Sequence, residues 1–193
     1  AIEHDMAEVL ASHPLNGRFA GWDRDARQSF WPQPAYRLEP LHEHGQVLAH
    51  LSDYAGQDLG PCMTAYENAL GGRVVVMGYY PWHFIHNLAK SSQMKAVCQW
   101  LSRDTLPVLV ESYARVVVWA RQGEDGRLTL AALNASLDPQ PRVELRVRTR
   151  QPAAQHWEMD GREETLAAAP DGPEHARVTL DDVRPWSMHL LQF

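Results

Sequence analysis

The spacing of apolar residues predicts a series of short elements whose period changes along the chain. Ile2, Met6, Val9 and Leu10 recur at helical intervals over residues 1 to 12, until Pro14 and Asn16-Gly17 impose a turn. From Trp22 to Tyr36 the chain is rich in aromatic residues and prolines with arginines among them, which suits an irregular segment laid over a surface. Val47-Leu48-Ala49-His50-Leu51 is a short apolar run followed by turn signals at Gly56 and Gly60-Pro61, and reads as a strand. Residues 62 to 67 give a second strand. Gly71-Gly72 then breaks the chain before Arg73-Val74-Val75-Val76-Met77, a continuous β-branched run that fits a strand covered on both faces.

After Gly78-Tyr79-Tyr80-Pro81-Trp82 the period becomes helical. Ile85, Leu88, Ala89, Ala96, Val97, Trp100 and Leu101 fall on one face between about residues 83 and 103. Beyond Pro107 the pattern is β throughout, beginning with a long strand from Val108 to Trp119 and continuing with Leu128, Leu130 and Ala132 after the turn at Gly123 to Gly126. Arg142 to Arg148 alternates charged and apolar side chains, so one face meets water and the other a core, as in an antiparallel sheet. Asp160-Gly161 and Asp171-Gly172 mark further turns, and strands are predicted at 176 to 180 and 186 to 192. Pro107 ends the helical pattern, which places a domain boundary between residues 105 and 106. No internal repeat is evident.

Composition narrows the classes of function. A chain of 193 residues that is 45% apolar and 22% charged has the makeup of a globular protein. With 24 acidic against 18 scattered basic residues, a net charge of -6 gives a nucleic-acid face little support. No stretch approaches the roughly 20 apolar residues of a membrane helix, so no membrane partner is expected; nothing in the chain fixes secretion or anchoring, and the location stays unknown, with cytoplasmic favoured. Cys62 and Cys98 are too few for a disulfide framework or a four-cysteine zinc site, and both read as buried structural thiols. The chain begins at Ala1, as a processed chain or a fragment of a longer protein would.

Residues with chemistry do not assemble into a recognised motif. His42 and His44 flank a glutamate, and His83 and His86 stand at helical spacing, yet neither pair lies in a ligand pattern such as H-E-x-x-H, and no metal is expected. Asp53, Glu67 and Glu111 are carboxylates of the kind glycoside hydrolysis needs in pairs, but pairing with arginines such as Arg73 and Arg115 explains them more simply. Gly71-Gly72-Arg73 precedes a strand, so a helix-terminal phosphate cradle is disfavoured and no cofactor is expected. Asn134-Ala135-Ser136 is formally a glycosylation sequon. Trp22, Trp31, Tyr79, Tyr80 and Trp82 are the candidate sugar-contact or interface residues, with packing favoured over sugar stacking.

The segment Glu67-Asn68-Ala69-Leu70-Gly71-Gly72-Arg73-Val74-Val75-Val76-Met77-Gly78-Tyr79, with the helix after it, resembles the latter half of the glutamine-amidotransferase-like domain of family-42-type β-galactosidases and related glycoside hydrolases. In that family the domain serves trimerisation, and a small C-terminal β-domain follows whose early strands read like Arg127-Leu128-Thr129-Leu130-Ala131-Ala132-Leu133-Asn134. The order of parts fits across roughly residues 40 to 193. The catalytic (β/α)8 barrel and the amidotransferase Cys-His-Glu set have no counterpart here, so no catalytic residue is carried over.

The resemblance implies an α/β partial flavodoxin-like (amidotransferase-like) sheet over residues 1–105, followed by a small antiparallel β-sandwich over 106–193. It implies a non-catalytic accessory or assembly region of a glycoside hydrolase, partnered by the catalytic barrel of the parent chain or by sister subunits. No activity is expected of this chain alone. Two alternatives are a carbohydrate-binding module that uses its aromatic residues and a free-standing hydrolase.

Overall fold

The computed structural model describes residues 6–17, 34–53, 55–81 and 88–193. The chain divides into two compact units, Ala1–Asp104 and Thr105–Phe193. The expected flavodoxin-like α/β sheet with a small β-sandwich after it is not the architecture: the structure is mostly β, 48% strand against 11% helix, and the described residues form one α-helix and three antiparallel sheets.

In the first unit β1 (Met6–Leu10), β2 (Gln46–Asp53), β3 (Asp58–Glu67) and β4 (Arg73–Met77) form an antiparallel meander in chain order. The glycine turn decides this topology. The Asn68 N–H donates to the Gly72 carbonyl at 2.9 Å, the Asn68 side-chain oxygen accepts from the Leu70 and Gly72 amides, and Gly71 takes the left-handed φ of 81° that the turn requires. So short a link joins only antiparallel neighbours, because a parallel pair needs a crossover of a dozen or more residues. The β-branched run of β4 is therefore an edge strand, and Val74 and Val76 stay 45% exposed where coverage on both faces was expected.

Residues 6 to 10 form a strand instead of the expected helix, with Met6 opposite Asp53 and Leu10 opposite Ala49. Glu8 and Leu10 face the core while Val9 is 51% exposed, so the period is two. A charged residue at an inward position hid it. Helix α1 (Leu88–Leu101) buries Ala89, Lys90, Gln93 and Val97. Its inward face thus carries two polar residues that an apolar criterion omits, whereas Leu101, expected inside, is 41% exposed. The helix lies against the 3-10 turn Pro14–Asn16, and Gly17 closes that contact: a Cβ there would lie 2.9 Å from the Ser92 backbone.

The second unit holds two sheets. In the first, β10 (Glu163–Ala167), β9 (Ala153–Glu158), β13 (Met188–Gln192), β7 (Leu128–Asn134) and β6 (Val116–Gln122) are neighbours in that order. In the second, the order is β11 (Ala169–Pro170), β12 (Ala176–Val183), β8 (Gln140–Val147) and β5 (Val108–Val110). One core cluster draws on both, including Leu130, Leu145, Val178 and Leu191. Burying each such leucine contributes about 1.5–3 kcal/mol. The expected long strand from Val108 to Trp119 is broken at Ser112-Tyr113, so β5 and β6 serve different sheets, and the Ser112 hydroxyl accepts from the Glu144 amide at 3.1 Å. The alternation of Arg142 to Arg148 is realised: Val143, Leu145 and Val147 are fully buried, and Arg142, Glu144, Arg146 and Arg148 alternate with them on the outer side, in ion pairs.

A buried polar network fastens the first unit. The Lys90 ammonium, 1% exposed, donates to the Glu8 carboxylate at 2.7 Å, to the Tyr79 hydroxyl at 2.5 Å and to the Gln93 side-chain oxygen at 2.5 Å. The Tyr79 hydroxyl in turn donates to Glu8. The Gln93 amide donates to Asn16 at 2.6 Å, and Asn16 donates to the Ala11 and Leu48 carbonyls. Strand β1, the 3-10 turn, strand β2 and the helix are thereby joined through groups that tolerate no loss of a partner. Lys90→Met is expected to lower the unfolding free energy by about 3–5 kcal/mol in a urea titration, and Glu8→Leu in the same chain to restore most of it. A single-variant cost no larger than the ~1 kcal/mol or less of an exposed pair such as Arg127–Asp125 would count against that role.

Candidate functional site

Of the aromatic candidates, Trp22, Trp31 and Trp82 lie outside the described residues, as do His83 and His86. Tyr79 is buried with its hydroxyl engaged by Glu8 and Lys90, and burial, followed by the Glu8 charge, pushes its pKa up. Tyr80 beside it is 52% exposed. His42 and His44 sit together on an exposed loop before β2, with the His42 ring 4.8 Å from that of Tyr66. Within the first unit, Asp53 and Glu67 do not converge. Asp53 accepts from the Gln57 amide at one end of the β2–β3 ladder, Glu67 pairs with Arg73 at 2.8 Å at the other, and Glu111 belongs to the second unit. Asn134 is fully buried and so presents no acceptor for a glycan. Its amide donates to the carbonyls of Asp138, Val183 and Arg184, and its oxygen accepts from the Ser136 hydroxyl at 2.8 Å.

The second unit has two outer faces, one charged and one that combines an apolar patch with a polar row. On the four-stranded sheet, cross-strand register sets Arg142 opposite Asp181 and Arg146 opposite Arg177, and both Arg146 and Arg177 reach Asp171. That is a solvated, charged face. On the five-stranded sheet, the outward positions line up as Trp119, Ala131, Leu190 and Trp157 in one row across four strands, with Val117, Leu133 and Met188 in the next. Trp119 is 54% exposed, Val117 43% and Leu190 37%. At about 4.8 Å per strand, the two tryptophans stand about 14 Å apart. A separate groove of about 510 Å³ in this unit is lined by Gln122, Leu128, Arg148, Arg150 and Phe193 among others, and both arginines already contact Glu174.

The inner face of the same sheet carries a cluster that sequence reasoning did not find. His156 and Glu158 alternate inward on β9, His189 faces inward on β13 opposite Glu158, and Glu164 on β10 stands opposite His156. The imidazole planes are within 8° of parallel and the rings meet edge to edge, with His156 Nε2 2.9 Å from His189 Nδ1. His156 Nδ1 lies 3.2 Å from Glu164 Oε1, and His189 Nε2 lies 3.1 Å from Ser187 Oγ. Burial, and then the neighbouring His156, holds the His189 pKa below its ordinary value, which favours the neutral ring. His156, Glu158 and His189 offer ligand atoms that all lie within 4.8 Å of one another, the one such group among the described residues. The available signal was a histidine at an inward position of each of two alternating strands, in step with Ala154 and Leu191.

The chain matches no protein-family model, and no curated protein is significantly similar to it in sequence. The thiols part ways: Cys62 is buried in the first core, whereas Cys98, expected to be buried, is exposed on α1. Burial, with the Glu8 charge next, pushes the Cys62 thiol far above its ordinary pKa. Iodoacetamide at neutral pH is therefore expected to label Cys98 in the native protein and Cys62 only after denaturation, read by peptide mass; comparable native labelling of both would refute the burial of Cys62.

Proposed function

We propose that this chain is a non-catalytic accessory region of a carbohydrate-processing enzyme of the glycoside hydrolase type, and that the outer face of its five-stranded sheet docks on the parent's catalytic barrel or on a sister subunit. One observation carries the reading: the row Trp119–Ala131–Leu190–Trp157 and the neighbouring row Val117–Leu133–Met188 form an apolar patch on one outer face, bounded by Glu163 and by the polar row Arg121–Thr129–Gln192–Gln155–Thr165, while the other sheet of the same unit turns arginines and carboxylates outward. An antiparallel sheet with one face on a core ordinarily presents polar residues on the other, and a contiguous apolar patch marks a surface meant to be covered. Asp53 and Glu67, which lie at opposite ends of the β2–β3 pair, add support.

A second reading, a carbohydrate-binding module, draws on the two tryptophans in one row, whose faces suit stacking on sugar rings. The two readings separate experimentally. The docking reading expects concentration-dependent association of the chain in sedimentation velocity, abolished by Trp119→Arg with Leu190→Arg while stability changes by no more than about 0.5 kcal/mol. A chain that stays monomeric and binds immobilised oligosaccharide, with Trp119→Ala and Trp157→Ala each removing that binding, would favour the module instead. Turnover of aryl glycosides by the chain alone would overturn both.

A further inference from the structure

We propose that His156, His189 and Glu158 form a binding site for a divalent transition-metal ion that clips β9 to β13. The argument starts from hydrogens. A carboxylate only accepts, so the contact with Glu164 places the hydrogen of His156 on Nδ1. The Ser187 hydroxyl donates to the Arg184 carbonyl at 2.7 Å, the shorter of its two contacts, so its oxygen accepts from His189 Nε2. Both rings thus turn lone pairs toward one another across 2.9 Å, from His156 Nε2 and His189 Nδ1. Two lone pairs do not face at that distance without a positive centre to which both are directed. Either a shared proton or a metal ion meets the requirement.

Three features favour the metal. A third donor is in place, because a Glu158 carboxylate oxygen lies within 4.8 Å of a ring nitrogen of each histidine. Each imidazole is held through its other nitrogen, one by a carboxylate and one by a hydroxyl, which is how metal-binding histidines are oriented and made more basic. Zinc–imidazole bonds of about 2.0–2.1 Å in tetrahedral array separate two nitrogens by about 3.3 Å, a few tenths more than here. Glu158 now contacts Arg162 at 3.4 Å and Arg184 at 3.1 Å, but neither guanidinium depends on it: Arg162 also holds Glu164 Oε2 at 3.2 Å, and Arg184 holds Asp160 at 2.7 Å. Glu158 is thus free to turn to the ion. Two imidazoles and a carboxylate suit zinc and its first-row neighbours, with a fourth position left for water or a further ligand.

The test is isothermal titration of the chelator-stripped chain with Zn²⁺ at neutral pH, with Co²⁺ absorption as a second readout. Expected are one tight equivalent per chain, a ligand-field spectrum of tetrahedral cobalt, and a rise in melting temperature on adding metal. His189→Gln should abolish binding, Glu164→Gln should weaken it about ten- to hundredfold by loosening the His156 ring, and the surface pair His42→Ala with His44→Ala should leave it unchanged. Should His189→Gln fail to fold, the isosteric Glu158→Gln decides, since it must weaken binding by at least about tenfold if this carboxylate is a ligand. Absence of a saturable equivalent in the wild-type chain would overturn the proposal and leave a shared proton between the rings. So would binding that follows His42 and His44, or binding indifferent to Glu158→Gln and Glu164→Gln alike.

Discussion

The constraint on which both units depend is that a polar group taken out of water must meet a partner. Apolar burial at Leu48, Leu51, Leu145 and Leu191 supplies the driving force, but many arrangements of such residues would supply it equally. The polar hubs admit far fewer. Lys90 needs Glu8, Tyr79 and Gln93 together, which determines where β1 and the helix stand. Asn134 needs the carbonyls of Val183 and Arg184, which fixes the end of β12 beside the end of β7. Leaving one such group unpaired costs more than an exposed ion pair returns, so the hubs select the arrangement and the leucines stabilise it.

The same constraint explains which elements were legible in the amino-acid sequence. Strands β2, β4 and β8 were, since their apolar runs or alternations are complete, and β3 only in its second half, because Gly60-Pro61, expected as a turn, pairs with His50 and Leu51 inside the strand. Strand β1 was not, because Glu8 occupies an inward position, and the inward face of α1 was misjudged because Lys90 and Gln93 lie on it. Both errors concern one network whose members are far apart in sequence, so no local window holds the reason for their burial. The expected flavodoxin-like sheet, with β4 covered on both faces, was a different error. A β-branched run is equally at home in a central parallel strand and in an edge strand of a meander, and the short turn at Asn68 to Gly72 is what excludes the first.

The candidate sites were less legible than the fold. Attention to Tyr79 and Tyr80 followed their place after a predicted strand, yet Tyr79 turns out to be a member of the buried network. Trp119, Trp157 and Leu190 sit in three segments with nothing in common locally, and their shared row exists only through the registers of β6, β7, β13 and β9. His156 and His189 are likewise brought together by pairing across β9 and β13. A chemical grouping made by register is invisible to spacing, which explains why the histidine pairs close in sequence drew notice and this pair did not.

Strand β13 joins these observations. It is the central strand of its sheet, and its five residues divide between two tasks: Met188, Leu190 and Gln192 point outward, while His189 and Leu191 point inward. A slip of one residue against β9 would exchange the sets, burying Leu190 and carrying His189 away from His156 and Ser187 to the outside. Apolar residues alone resist such a slip weakly here, because Met188, Leu190 and Leu191 are of similar size and either set could face a core. The histidine pair does discriminate, since only one register brings its facing nitrogens to a common cation with Glu164 and Ser187 behind them. The inner cluster therefore fixes the register that assembles the apolar rows outside, and the outer surface inherits its order from a polar contact on the opposite face of the strand.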